Sequence, residues 1–494
     1  MSQRSLDFRI PRAVASEMSP AVRELFDRLL EQIDRLSVEV LELKLENQRL
    51  RLENQQLRQE NAELREQLTG QKTPQNSSLP PSTQHPHSKP ARREPASGKK
   101  RGGQPGHPRH QRPLIPSDQC QDVVKLIPQQ CRHCQNPLSG MDAEPLRHQV
   151  WEMPEIKPLV TEYQQHRLDC PHCGKTTCAP LPADVPTCQA GPRLMAFTSL
   201  LMAYFRQSKK RAALFLQAIL NQPSSAAWLV KLQNRVTTIM RPPYHQLAAA
   251  LPAESVLSGD ETPTKEANQK AWLWTFVARN FTVFTVRPNR KGITVRDLLG
   301  AAYPGVITCD RARMYFQVGR VQWCWAHLKR DFQAWIDSPD GEAKQHGQEL
   351  MEQTGKLFNL WKQYRKDEIS YAELKVRMQP VSKEIEALLS WGVHCGNTRL
   401  APTCRQLWEY RERLWVYLDV EGVEPTNNRS ERALRHAVIW RKLSFGTQSA
   451  AGSRFVETML SIIETCRQQG RNVLAYVTES IQNHLSGQSV PMLL

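Results

Sequence analysis

The sequence predicts a multi-domain α+β protein, and three features carry that prediction. Leucines recur every seven residues from Leu29 to Leu64, two Cys-x-x-Cys pairs lie in the second hundred residues, and β-branched runs alternate with amphipathic stretches beyond residue 253. At 494 residues the chain is too long for one hydrophobic core, and about 150 residues per domain suggests roughly three domains. A formal net charge of +17 and a pI near 9.4 point to a polyanionic partner, nucleic acid first, because Lys and Arg that neutralise phosphates release condensed counterions. The N-terminus has no apolar signal core, and the longest apolar-looking run, Leu194 to Phe205, is interrupted by Thr198 and Ser199. Neither secretion nor a membrane span is expected. Twelve cysteines, four of them in the two pairs, suggest metal binding in a reducing compartment more than a disulfide framework.

Residues 20–70 are predicted to form a coiled-coil dimerisation helix. With Phe26, Ile33, Val40, Asn47, Asn54, Asn61 and Leu68 at position a, position d reads Leu29, Leu36, Leu43, Leu50, Leu57 and Leu64. Position g (Glu39, Glu46, Glu53, Glu60) faces position e of a second copy (Lys44, Arg51, Arg58, Arg65), so each pair attracts in a parallel homodimer. Asn at three successive a positions gives up apolar burial, and Asn facing Asn selects the register and the two-stranded state.

Residues 71–116 change to Pro, Ser, Gly, His and basic residues, with nine Lys or Arg against Glu94 alone up to Arg112. Such a segment cannot bury enough apolar surface to fold by itself, which predicts a flexible basic linker. Two readings stand for it: an arm touching the DNA backbone through Lys99, Lys100 and Arg101, or a solvated connector.

Residues 117–189 are predicted to be a zinc-binding, ribbon-like module. Cys131 and Cys134, with Cys170 and Cys173 after a gap of 35 residues, can each chelate through one tight turn and together close a tetrahedral structural Zn2+ site. Cys120, Cys178, Cys188, His133 and His172 are substitute ligands. Strand-like stretches in Arg147–Leu168 suggest a hairpin between the knuckles.

Residues 190–252 read as helices. An apolar face runs through Leu194, Phe197, Leu200, Leu201 and Tyr204, the chain breaks at Asn221–Ser225, and Ser224 or Ser225 caps a helix from Ala226 to Met240. With Lys209, Lys210, Arg211, Lys231 and Arg235 this segment reads as scaffolding or as a DNA-reading helix-turn-helix, scaffolding being favoured.

Residues 253–332 alternate strands and helices. Ser255–Leu257 ends on Asp260, Trp272–Arg279 and Phe281–Val286 add two antiparallel strands, a helix follows near Thr294–Ala302, Gly305–Thr308 ends on Asp310, and a strand near Val321–Trp325 precedes a helix from about His327. The order β-β-β-α-β-α-β matches an RNase H-like fold, in which the first and fourth strands are neighbours. Strands lie roughly 4.8 Å apart, so Asp260 and Asp310 at neighbouring strand ends can share a cation. Residues 333–425 show helical periodicity, with Trp335, Trp361, Trp391, Trp408 and Trp415 forming a core or stacking on bases. Residues 426–485 carry Glu431 in the first turns of an amphipathic helix.

The pieces Gly259-Asp260-Glu261-Thr262-Pro263, Cys324-Trp325-Ala326-His327-x-x-Arg330-x-Phe332, Asn427-Asn428-x-x-Glu431-Arg432-Ala433-Leu434-Arg435 and Arg441-Lys442-x-x-x-Gly446 resemble the DDE transposases of bacterial insertion-sequence family sixty-six. The order of zipper, Gln104-Pro105-Gly106-His107 arm, zinc module and split catalytic domain resembles that family over nearly the whole chain. The resemblance implies that Asp260, Asp310 and Glu431 are the catalytic triad. It also implies that the 94 residues between Phe332 and Asn427 are a helical insertion in an RNase H-like α/β domain. One departure is Ala312, where the family has an aromatic two residues after the second Asp; Tyr315 matches the next aromatic.

The chemistry follows from charge. Three close carboxylates repel unless a divalent cation, Mg2+ or Mn2+, lies between them. A pair of ions roughly 3.5 to 4 Å apart supports strand cleavage by water and strand transfer by a 3′-hydroxyl. Arg432 and Arg435 flank Glu431, with Arg435 placed to pair with it or with a phosphate, and Arg441, Lys442 and Arg454 are candidates for gripping DNA. Glu261 is an alternative to Asp260, and Cys324 with His327 reads more readily as a packed pair than as metal ligands.

The sequence therefore predicts a cytoplasmic, nucleoid-associated bacterial transposase that binds its element's terminal inverted repeats and the target DNA. It is expected to act as a parallel homodimer, with element-encoded accessory proteins as further partners. The rival readings are a non-catalytic zipper and zinc DNA-binding regulator, and a structure-specific DNA nuclease.

Overall fold

The structure, a computed structural model, describes residues 19–69 and 112–494. Of these, 19–69, 328–362 and 378–408 form one compact unit, and 112–327, 363–377 and 409–494 form a second. No helix among the described residues is long and apolar enough to cross a membrane.

In the first unit, helix α1 (Pro20–Thr69) is one unbroken run of 50 residues. Its heptad residues Leu29, Ile33, Leu36, Val40, Leu43, Leu50 and Leu57 are all exposed. Lys99, Lys100 and Arg101 of the linker lie outside the described residues.

The second unit begins with the cysteine module. Strands β1 (Arg167–Asp169) and β2 (Thr176–Cys178) pair antiparallel across the second knuckle, whereas the segment 147–166 contains no strand. The predicted hairpin therefore frames Cys170 and Cys173 instead of bridging the two knuckles. Alternating apolar residues in 147–166 have no facing strand to bury them, and Val150, Leu159 and Val160 are exposed.

Three helices follow: α2 (Pro192–Ala203), α3 (Lys209–Leu220) and α4 (Ala226–Ala250). Ser225 caps α4 by accepting from Trp228 N at 3.1 Å, as read from sequence, and Asn221 ends α3 in the left-handed conformation. The first break, at Tyr204–Ser208, was not anticipated, and α4 continues ten residues beyond Met240 through Pro242 and Pro243. Tertiary packing overrides the proline signal: Tyr244 and Leu247 are buried, and Tyr244 donates to the carbonyl of Phe284 at 3.1 Å. These helices pack on one another and on the sheet.

The sheet contains β3 (Val256–Glu266), β4 (Gln269–Val277), β5 (Thr282–Arg287), β6 (Val306–Cys309) and β7 (Arg320–Trp323), in the order β5-β4-β3-β6-β7. The first three strands are antiparallel, and β6 runs parallel to β3 with β7 parallel to β6. Helix α5 (Gly292–Leu299) connects β5 to β6. Between β6 and β7 the predicted helix is a single 3-10 turn, Arg313–Gln317, because the link is too short for an α-helical crossover. Helix α6 (Trp325–Ile336) starts two residues earlier than predicted.

Strand β3 also runs six residues past Asp260, where a strand end was expected. Pro263 reads as a stop, yet it pairs with Trp272 while its carbonyl accepts from Arg441, so the missing N–H faces away from the ladder. Ala267 and Asn268, both at positive φ, make the two-residue turn into β4.

Beyond β7 lie α7 (Gly341–Arg365), α8 (Tyr371–His394), α9 (Ala401–Glu409), α10 (Glu412–Asp419), α11 (Asn428–Ser444), α12 (Ala450–Gln468) and α13 (Val473–Leu485). Within the first unit, Trp335 is buried against Phe332 and His346, which supports the core reading for that tryptophan, whereas Trp391 is exposed on one side of His346.

Both sheet edges are covered by side chains. On β5 the amides of Thr282, Phe284 and Val286 donate to Thr465 (3.1 Å), Ser461 (2.8 Å) and Glu457 (3.0 Å), which recur every fourth residue on α12. On β7, buried Gln322 accepts from Tyr417 N at 2.9 Å and donates to Leu414 O at 3.1 Å on α10. Ser461→Ala leaves a buried amide unpaired and is expected to cost about 1–3 kcal/mol. Urea unfolding checks this; an unchanged midpoint would show that α12 does not hold the edge through this bond.

Candidate functional site

Parallel pairing of β3 with β6 runs Val256↔Val306, Leu257↔Ile307 and Ser258↔Thr308. Two residues further along each chain lie Asp260 and Asp310, so the register brings both acids to one end of that pairing. Alternation places Asp260 on the same face as Ser258, and Gly259 with Glu261 on the other.

Helix α11 closes the first face. Ala433, Leu434 and Ala437 pack with Leu273, Val277 and Phe284 of the sheet, and two of the three helix residues are small enough for close approach. Ser258 Oγ donates to Ser430 Oγ at 2.9 Å, and Ser430 donates to Asn427 O at 2.8 Å. This buried pair pins the first turn of α11 to β3 and brings in Glu431, the next residue.

Burial, then Glu261, Asp310 and Glu431 in that order, hold the Asp260 carboxyl well above the ordinary aspartate range; the Glu261 N–H, donating to Asp260 Oδ1 at 2.8 Å, opposes them. Asp310 Oδ1 accepts from Ala312 N at 2.9 Å. The side chains of Asp310 and Glu431 are 29% and 30% exposed, so the cluster opens to solvent. Glu431 Oε1 is itself buried without a hydrogen-bond partner, and so are both side-chain polar atoms of Asn427. A carboxylate oxygen without a hydrogen-bond partner, facing other acids, suits a hard divalent cation, but the ligand atoms of Asp260, Asp310 and Glu431 do not all lie within 4.8 Å of one another.

The neighbour facing Glu431 is His327, at 3.7 Å, in place of the Arg435 pairing considered from sequence. Cys324, His327 and Glu431 are the group of three metal-type ligands within 4.8 Å among the described residues. Burial pushes the Cys324 thiol up to about 12, and Asn427 N donates to its sulfur at 3.4 Å, so it sits as a neutral packed thiol.

On the opposite face Glu261 has other partners. Its side chain is 2% exposed, Arg290 Nε donates to Oε1 at 2.7 Å, and Tyr315 Oη donates to Oε2 at 2.8 Å. Burial first, then Asp310, raises its pKa to about 7 against Arg290 and Tyr315. Gly259 allows a close approach here, because a Cβ at that position would lie 3.0 Å from the Tyr315 ring and the ring would have to shift. Arg290 was missed in the sequence, since Asn289-Arg290-Lys291 reads as an ordinary polar turn.

Arg432, Arg435 and Lys442 are exposed on α11, while Arg441 is half-buried with one N–H on Pro263 O. Arg454, a sequence candidate for DNA, instead pairs with buried Glu457 at 3.0 Å. In the cysteine module each pair closes a tight turn: Gln135 N donates to Cys131 O and Gly174 N to Cys170 O, at 2.9 and 2.8 Å. The amides of Cys134 and His133 lower the Cys131 pKa, and those of His172 and Cys173 lower that of Cys170, which favours the thiolates a metal needs. The four sulfurs are not drawn into one ligand cluster; each knuckle is formed separately.

These features define a class: a mixed α/β protein with a group of acidic residues beside the end of the β3–β6 pairing and a cysteine-knuckle module upstream. Compared with known families, residues 187–454 match the transposase IS66 family, residues 128–174 the zinc-finger binding domain of transposase IS66, and residues 20–113 a family of unknown function. The first match covers more than half of the chain, which thus belongs to the IS66 family of transposases. A curated relative, "Uncharacterized protein y4qI" of Sinorhizobium fredii (strain NBRC 101917 / NGR234), is 25% identical over 251 residues, 46% of each chain. The chain thus spans about half the length of that relative.

Raised carboxyl pKa values mean that the folded state binds more protons than the unfolded chain. Cation-free stability should therefore fall as pH rises from 4.5 to about 7 through Glu261, with Asp260 adding in the same direction. Thermal unfolding of wild type and Glu261→Gln across that window should converge at low pH and diverge above it. Parallel profiles would contradict the assignment.

Proposed function

We propose that this protein is a DNA transposase that cleaves and joins strands at the ends of its element, with Asp260, Asp310 and Glu431 as its three metal-binding carboxylates. What supports this reading is the β3–β6 register, which brings Asp260 and Asp310 to one end of that pairing, with Asp310 and Glu431 both near enough to raise the Asp260 pKa. The strand order, with β6 parallel to and beside β3, supports assigning residues 253–332 and 426–485 to an RNase H-like core and 333–425 to its helical insertion.

The three carboxylates would hold Mg2+ or Mn2+, which supplies Lewis acidity for activating water or a 3′-hydroxyl and for stabilising the leaving 3′-oxygen. Ala312 N and Glu261 N orient the Asp310 and Asp260 carboxylates through their hydrogen bonds. Ser258 and Ser430 fix the approach of Glu431. Arg432, Arg435 and Lys442 offer exposed cations for the DNA backbone, with Arg441 at the rim. The arm at Lys99, Lys100 and Arg101 and a Zn2+ module on Cys131, Cys134, Cys170 and Cys173 are the proposed readers of the terminal repeats, in the bacterial cytoplasm on nucleoid DNA. The exposed heptad face of α1 is proposed to dimerise with a second copy in a parallel coiled coil, argued from its complementary g and e charges.

Asp260→Asn should lower Mg2+-dependent joining of a precleaved DNA end by about 10³-fold or more, the scale of several kcal/mol of lost charge stabilisation. DNA binding by gel shift should be retained. Undiminished joining by the variant would refute the triad, and cleavage without joining in wild type would point to a nuclease. For the dimer, Leu36→Lys with Leu43→Lys should give monomers in sedimentation equilibrium, and an unaltered dimer would exclude the zipper.

A further inference from the structure

Arg290 lies in the short link between β5 and α5, on the rim of the acid cluster. Its Nε and Nη2 both contact Glu261 Oε1, at 2.7 and 2.5 Å, and its guanidinium carbon sits 5.2 Å from the centre of the Trp272 ring. Tyr315 takes the other Glu261 oxygen, so that carboxylate is fully committed and is not available as a third ligand beside Asp260. The same Nη2 lies 3.9 Å from Asp310 Oδ2, beyond hydrogen-bond reach, and the Arg290 side chain is still 41% exposed. A guanidinium is permanently charged and planar, and one anchored edge leaves the other edge to donate elsewhere.

Burying a carboxylate such as Glu261 costs several kcal/mol, and its visible result is to fix one cation at the mouth of the acidic site. Cations held by Asp260 and Asp310 would bring a phosphodiester next to Asp310, within the space that this guanidinium faces. We infer that Arg290 is a catalytic residue whose guanidinium, held by Glu261 and Trp272, binds a non-bridging oxygen of the scissile phosphate and stabilises the charge that develops there. Glu261 and Tyr315 are then positioning residues for Arg290. The inference rests on the triad reading above.

The test uses the full-length protein with Mg2+ and a precleaved DNA end, comparing Arg290→Gln, the double variant Glu261→Gln/Arg290→Gln, and Asp260→Asn. The single variant leaves Glu261 buried without its cation and is expected to melt lower; the double variant replaces the ion pair by two amides and should recover most of that loss. Both should join DNA about 10²-fold or more slowly, the scale of losing one preorganised donor. Calorimetry with Mn2+ should show binding as tight as wild type or several-fold tighter, because a permanent positive charge beside Asp310 is gone. Joining restored together with melting temperature in the double variant would assign Arg290 a purely structural role and overturn the inference. Loss of Mn2+ binding would overturn it too, by making Arg290 a prop for Asp310. If Asp260→Asn is inactive while both Arg290 variants join normally, the inference alone falls; if Asp260→Asn also joins, the triad reading falls with it.

Discussion

Four carboxylates are forced together at one end of a five-stranded sheet, and the local structure is organised around their mutual repulsion. Asp260 has Glu261, Asp310 and Glu431 as electrostatic neighbours, and each raises its proton affinity. Nothing in the backbone requires such a grouping, and like charges at this spacing destabilise the fold. The surrounding groups offset it in part: an amide on Asp260, an amide on Asp310, a histidine facing Glu431, and an arginine with a tyrosine on Glu261. Glu431 Oε1, which His327 faces at 3.7 Å, still has no hydrogen-bond partner.

Such a cluster needs a rigid platform, because Asp260, Asp310 and Glu431 come from different parts of the chain. Two acids depend on the β3–β6 register and the third on the seating of α11. The register is protected where sheets are weakest, at the edges. Polar side chains of α12 take the free amides of β5, and Gln322 ties β7 to α10. Seating of α11 depends on alanines that permit close approach and on the Ser258–Ser430 bond. A change in either would move Glu431 relative to Asp260 without touching a carboxylate.

Much of this scaffold was legible in the chain because it is written in local patterns. Heptads gave the length of α1, β-branched runs gave the five strands of the sheet, and Ser225 marked the start of α4. The errors arose where distant contacts override local preference. Pro263 and Pro242-Pro243 read as stops, yet Trp272 pairs with the first and buried Tyr244 and Leu247 carry the helix past the second. The segment 147–166 alternates like a strand but has nothing to face. Within the site, Asp260 and Asp310 were visible because each follows a β-branched run, although β3 continues past Asp260. The role of Arg290 was not, since only the fold brings a turn residue to Glu261, and Arg454 looked free for DNA because Glu457 is recognisable as its buried partner only when α12 lies on β5.

The pair Asp260-Glu261 shows how one strand can separate two chemically similar residues. Adjacent positions point to opposite faces, so a single peptide bond sends one carboxylate toward α11 and the other toward Tyr315 and Arg290. Asp260 keeps one oxygen on its neighbour's amide and is left among acids, whereas both oxygens of Glu261 are bound by side-chain donors. A one-residue slip of β3 would exchange these environments, giving the side-chain donors to one acid and leaving the other without them. Register therefore sets more than spacing at this site. It decides which acid is left among other acids and which one pairs with an arginine.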